Sequence, residues 1–403
     1  MNAADTGFMM ICSAMVFLMV PGLALFYGGL VQKRNVLSTT MHSFFMLGLG
    51  SVFWALIGYS LAFGDDFGGL IGNFKYALFD GVGMEPDGES TIPHILFMTF
   101  QCMFACLTVA LISGAYAERM RFRAVALFSA LWLLLVYSPL AHWVWGGGWL
   151  MEYGALDFAG GAVVHMSSAA AALACAHAVG PRKALLSGET APHNLPMTLL
   201  GAGLLWFGWF GFNAGSALAA DGLASNAFAT TQFATAAGVL GWLLVETIRV
   251  GKPTTLGAAS GALAGLVAIT PAAGFVTPAS ALLIGLIGGM LCYGGVLMKR
   301  KLGYDDALDV VGVHGVGGTW GALATGLFCT LGVNGGGADG LFYGNPGQLW
   351  IQFVSVVATW VFVYVLSRVI LAVVGAITPL RATDEDQAAG LDITDHSERG
   401  YQI

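Results

Sequence analysis

Charge is scarce in this chain. Only 10% of its 403 residues are Asp, Glu, Lys or Arg, against roughly 25% in soluble domains, which excludes an ordinary water-soluble globule. No Lys or Arg precedes Lys33, so the opening apolar stretch lacks the positive segment of a signal peptide and reads as a true span. Cysteine is limited to Cys12, Cys102, Cys106, Cys175, Cys292 and Cys329, all in or at the ends of apolar stretches and none in a CxxC pair. They read as small buried apolar side chains rather than a disulfide framework or metal knuckle. No HExxH is present either, which removes the commonest zinc-enzyme signature.

Apolar residues fill the space that charge leaves. They make up 57% of the chain, and mean hydropathy is +0.76. Runs of about 17 to 26 residues, enough to cross a hydrocarbon core roughly 30 Å thick, recur along the sequence. Eleven are expected, beginning near Gly7, His42, Ile92, Ala124, Phe158, Leu195, Ala227, Thr254, Pro278, Val310 and Leu349, the last closing near Val374. The implied fold is an all-α polytopic membrane protein.

Basic residues orient it. Alternate connections carry Lys33 and Arg34; Arg119, Arg121 and Arg123; Arg182 and Lys183; Arg249 and Lys252; Lys299, Arg300 and Lys301. Arg368, Arg381 and Arg399 follow, and Lys75 alone falls opposite. Cytoplasmic loops retain Lys and Arg, so the N-terminus is expected outside and the C-terminus inside. An acidic loop from Gly64 to Pro93 lies outside, and a polar tail from Arg381 has too few apolar residues to fold by itself.

The fifth span, "DFAGGAVVHMSSAAAALACAH", carries an ionisable residue, His165, eight positions after Asp157. The tenth repeats the device: His314 follows Asp306 by eight in "GYDDALDVVGVHGVGGTWGAL". "FYGG" from Phe26 and "FNAG" from Phe212 echo each other in the first and sixth spans. A repeat of five helices inserts upside down relative to its twin, so the pattern predicts a five-plus-five inverted repeat with an additional C-terminal helix and a working site near the midplane. A lone histidine in an apolar helix usually satisfies a neighbouring carbonyl; two in quasi-symmetric positions point to a pathway, because intramembrane ionisable groups are costly. Burial without a counter-charge favours neutral imidazoles, which both donate and accept hydrogen bonds. A metal held by both histidines with Asp157 and Asp306 is the competing reading.

Aromatic rings add a second constellation. Trp209, Phe212 and Ser216 share a helical face, Phe100 and Phe104 share another, and Trp145 ends the fourth span in "HWVWGGGW". Singly, each ring reads as interfacial belt or packing. Grouped with a hydroxyl, they suit a cation: aromatic faces hold it, and Ser216 accepts one of its hydrogens.

"VPGLALFYGGLVQKRNVL", "TFQCMFACLTVALISGAYAER", "DFAGGAVVH", "APHNLP", "GWFGFNAGSA", "DDALDVVGVHGVGGTWG" and "GLDITDHSERGY" resemble the ammonium transporter, methylammonium permease and Rhesus protein family, its bacterial ammonium transporter branch above all. The resemblance covers nearly the whole chain. It implies a transporter, not an enzyme, with a transport domain over 1–380 and a regulatory tail over 381–403. Trp145, Ser216 and Phe104 then resemble the outer ammonium recruitment site, and Phe104 and Phe212 a stacked pair closing the pore. His165 and His314 are similar to the twin histidines, Phe100 and Trp209 to further pore-lining rings, and Asp157 to a supporting acid. The resemblance further implies ammonium or methylammonium as substrate, no cofactor, a homotrimer in the lipid of the bacterial inner membrane, a PII-type signalling protein at the cytoplasmic face and no nucleic acid. Two other classes stand beside it: an ammonium sensor signalling through the tail, and a metal-dependent intramembrane enzyme.

Overall fold

The computed structural model describes residues 1–183, 185 and 190–401. Eleven helices carry the fold: α1 Ala3–Leu30, α2 Lys33–Phe63, α3 His94–Tyr116, α4 Phe122–Glu152, α5 Gly161–Val179, α6 Leu195–Gly215, α7 Gly222–Val250, α8 Thr255–Ile269, α9 Pro278–Leu302, α10 residues 311–328 and α11 Pro346–Ile377. Among the described residues, nine helices are long and apolar enough to cross a membrane; α8 is shorter, and glycine-rich α10 is not among the nine. Outward-facing Phe353, Val357, Val361, Val365, Val369 and Val373 form an exposed apolar stripe at i, i+4 spacing along α11, as a multi-pass membrane protein requires.

α1 lies along α6, α3 packs on α2, and α8 packs on α7, while α5 and α10 meet in the middle. Small residues permit the closest approach. A Cβ at Gly211 would stand 2.7 Å from Met15 Cβ and 2.8 Å from the Cys12 carbonyl oxygen, and one at Gly215 would stand 2.8 Å from Cys12 Cβ and 3.0 Å from the Phe100 ring. Bare backbone on this face of α6 therefore lets α1 and α3 close on it, the small-residue packing typical of membrane helices.

Two elements depart from the sequence expectation. α2 begins at Lys33 rather than near His42, because its first turns are polar and spend their polarity on contacts: Asn35 Nδ2 donates to Glu118 Oε1 at 3.1 Å, and Ser38 N donates to Asp392 Oδ1 at 2.8 Å. The tail folds by borrowing such partners. It forms α12, Asp384–Ala389, behind a Thr383 and Asp386 capping box, then α13, Leu391–His396. Arg121 pairs with Asp386 and Asp395, and Leu391 N donates to Asn35 Oδ1 at 2.9 Å. The Thr383 hydroxyl, with Arg121 assisting, holds the Asp386 carboxyl below its ordinary range. Residues 402 and 403 of the tail lie outside the described residues.

The 64–93 loop contributes the only strands among the described residues, β1 Asp66–Phe67 and β2 Ile71–Gly72. It clamps the end of α4: His142 Nε2 meets Asp66 Oδ1 at 2.8 Å and Trp143 Nε1 donates to Leu70 O at 2.8 Å. That contact fixes the segment from which Trp145 projects.

Candidate functional site

The starts of α5 and α10 share one construction. Asp157 accepts four backbone N–H groups with its carboxylate: Gly160 and Gly161 on Oδ1 at 2.8 and 2.6 Å, Ala162 and Val163 on Oδ2 at 2.7 and 3.3 Å. Gly160 adopts φ +118, a region that disfavours any side chain, and so turns the chain into the helix. Asp306 does the same more sparingly, accepting Val311 N at 2.7 Å. Each helix then opens with a π turn, Gly161–Met166 and Val311–Gly315, that carries its histidine near the end. Such wide turns re-aim side chains and concentrate at functional sites. Asp157 spends both oxygens, and Asp306 one, on backbone amides at helix N-termini, where negative charge is stabilised. The described residues hold no group of three His, Cys, Asp or Glu placed to hold a metal.

The histidines are brought together. His165 Nδ1 and His314 Nδ1 lie 3.2 Å apart, in rings 0% and 2% exposed. Hydrogen-bond accounting assigns their protons. Thr270 Oγ1 donates its hydrogen to Leu266 O at 2.8 Å and accepts Trp209 Nε1–H at 2.9 Å. Its remaining lone pair faces His165 Nε2 at 3.3 Å, which must therefore be the protonated nitrogen. His165 Nδ1 is then an acceptor and His314 Nδ1 the donor. Two neutral rings satisfy the whole chain of contacts.

A file of rings leads away from His165. Trp209 and Phe212 lie 5.3 and 6.1 Å from it, at 28° and 22°. Phe212 stacks on Phe104 at 4.2 Å and 22°. Phe104 meets Phe100 at 4.8 Å and stands at 90° to Trp145, 6.2 Å away. Trp145 is fixed by donating Nε1–H to Asp157 O at 2.8 Å. Ser216, half-buried one turn beyond Phe212, donates to the Phe212 carbonyl at 2.8 Å, which leaves its oxygen's lone pairs for an incoming donor. All nine residues singled out in the sequence thus belong to one connected construction. On the opposite side of the pair, His314 lines a cavity of ≈ 50 Å³ together with Phe26, Tyr27 and Val313.

The sequence model described as the Ammonium Transporter Family matches residues 7–401. The chain belongs to that family. Among its relatives, the ammonium transporter of Bacillus subtilis is 57% identical over all of this chain and 99% of its own. Ammonium transporter Amt1 of Archaeoglobus fulgidus is 44% identical, with both chains fully covered. The crystal structure of Saccharomyces cerevisiae Mep2 superposes with a TM-score of 0.90 at 36% identity, over 96% of this chain and 89% of that one. A structure titled "Sensor Amt Protein" gives 0.89 at 29%, over 98% of each.

Two residues of this family member were not singled out as site residues in the sequence. Phe26 had a signal in the echo of "FYGG" with "FNAG", which pairs it with Phe212 across the histidines. Thr270 had only its place beside Pro271 at the end of a short apolar run. Thr270→Val should leave the Trp209 and His165 N–H groups unpaired in a dry site, at about 1–3 kcal/mol each. A lowered melting temperature in detergent together with reduced ammonium flux is the expected result; wild-type values for both would remove Thr270 from the site.

Proposed function

We propose that the protein carries ammonium across the bacterial inner membrane by holding the cation at Trp145, Ser216 and Phe104, removing its proton and passing ammonia between Phe104 and Phe212 and along His165 and His314. The observation that supports this most is the pair of fully buried, mutually hydrogen-bonded neutral imidazoles behind a stacked aromatic pair. Such a path imposes a large desolvation cost on any intact ion. Ammonium avoids the cost by giving up a proton, an escape that potassium lacks. The same chemistry admits methylammonium, which also has a proton to lose.

Eleven spans in a five-plus-five inverted arrangement, N-terminus outside and C-terminus inside, complete the reading. Matching contacts support the symmetry: Phe158 N donates to Pro271 O at 3.1 Å just past α8, and Leu308 N donates to Gly114 O at 3.0 Å in α3, so the lead-in to each histidine helix docks on the equivalent helix of the other half. The homotrimer and the PII-type partner rest on family resemblance. The tail, folded against the first turn of α2 and the α3–α4 turn, is suited to transmit a partner's arrival.

Ammonium flux into proteoliposomes tests the proposal. Ser216→Ala should weaken apparent ammonium affinity severalfold with an unaltered melting temperature, because among the described residues the hydroxyl bonds only the Phe212 carbonyl one turn before it; unchanged affinity would remove Ser216 from recruitment. The neighbour titled as a sensor gives the second reading its footing. Absent flux with ammonium-dependent partner binding intact would decide for a sensor.

A further inference from the structure

The face on which the tail packs holds a pocket of ≈ 260 Å³ outside the path described above. Lys33 and Arg34 at the start of α2 form one wall, and Asp392, Arg399 and Tyr401 of the tail form the other. None of these three cations joins an ion pair among the described residues, although the chain carries a net charge of -7. Arg34 Nη1 donates to Ala388 O at 2.6 Å, yet its Nε is buried without a partner. Asp392, 2% exposed, accepts Ser38 N with Oδ1, and its Oδ2 has no partner. The Tyr401 hydroxyl bonds His193 Nε2 at 2.9 Å, and His193 Nδ1 meets Val31 O at 2.8 Å, so the far wall is tied to the end of α1. Lys33, Arg34, Arg399 and Asp392 thus line one bounded space, and Arg34 Nε and Asp392 Oδ2 sit buried at its wall without partners.

We propose that this pocket binds a small phosphate ester bearing a free hydroxyl. Three cations suit the phosphate, with Arg34 supplying directional N–H groups to its oxygens. Asp392 Oδ2 accepts the ligand hydroxyl, which a bare inorganic anion without a proton cannot satisfy. The volume suits a glycerol phosphate unit rather than a drug-sized molecule. Because one wall is the start of α2 and the other the tail, the bound ester bridges them and stabilises the docked tail by mass action. A soluble glycerol phosphate and a phosphatidylglycerol headgroup share this chemistry.

The test uses the full chain. Purified protein is titrated with glycerol 3-phosphate while its melting temperature is followed, and in a second arm lipid adducts are counted by native mass spectrometry from nanodiscs of phosphatidylglycerol or phosphatidylcholine. The comparison variants are the double substitution Lys33→Gln with Arg399→Gln, both exposed side chains, and Arg123→Gln, which removes an exposed basic residue that does not line the pocket. Saturable binding in either arm, weakened tenfold or more in the double variant and retained in Arg123→Gln, supports the site. The responding arm identifies the soluble ester or the headgroup. Binding in neither arm, or equal weakening by Arg123→Gln, overturns it.

Discussion

Replacing His165 or His314 with alanine should change ammonium conduction by tenfold or more and admit potassium, as read by currents on a supported membrane after an ammonium jump and by parallel flux into proteoliposomes. Tenfold corresponds to about 1.4 kcal/mol of barrier, a modest demand for deleting one of two groups that hold each other at 3.2 Å. The two substitutions act differently. Without His165, Thr270 loses the donor that completes its contacts, and the space between Phe212 and His314 opens to water. Without His314, the His165 Nδ1 acceptor faces an enlarged cavity on the Phe26 side. Water in either place lowers the cost of an intact ion, so potassium exclusion should fail in both variants even where ammonium still passes. If both keep wild-type current, flux and potassium exclusion, the histidines are packing residues and the conduction path lies elsewhere.

How much of this was legible in the chain depends on whether a residue's role lay in a pattern or in a partner. The histidines were legible because each breaks an apolar run and each follows an aspartate by the same eight residues. Most of the aromatic file was legible because Trp209 and Phe212 sit at i, i+3 on one helix and Phe100 and Phe104 at i, i+4 on another, while Trp145 stood out by its place at the end of a span. The meaning of the aspartates was harder to read. Phe158, Ala159, Gly160 and Gly161 after Asp157 resemble ordinary span residues, and only the fold reveals a carboxylate wrapped in four amides. Nor does an apolar run disclose a π turn, since its period is set by packing and by the cap. Thr270 acts through three partners far apart in sequence or in its own backbone, so no local signal marks it. The tail was under-read for a related reason: its composition cannot build a core, but Asn35, Ser38 and Arg121 supply partners that composition does not count.

That wrapped carboxylate carries the second large effect. Asp157→Asn should lower the melting temperature and abolish most ammonium flux, whereas Asp306→Asn should do distinctly less to stability. An asparagine keeps one acceptor oxygen, enough for Gly160 and Gly161 or for Ala162 and Val163 but not for both pairs, and turns an NH2 group toward the remaining N–H donors. Two buried amides are left unsatisfied at about 1–3 kcal/mol each, and the favourable placement of a charge at a helix N-terminus is lost besides. Asp306 holds a single strong contact to Val311, while its Oδ1 already lacks a partner, so the same change there forfeits less. The consequence for transport follows from what the cap positions. The Asp157 carbonyl fixes Trp145, and its carboxylate fixes the π turn that aims His165, so loosening one residue displaces both the outer ring and the inner imidazole. Equal melting temperatures for the two asparagine variants, both at the wild-type value, would show that the caps are interchangeable and that the first turn of α5 is held by its packing alone.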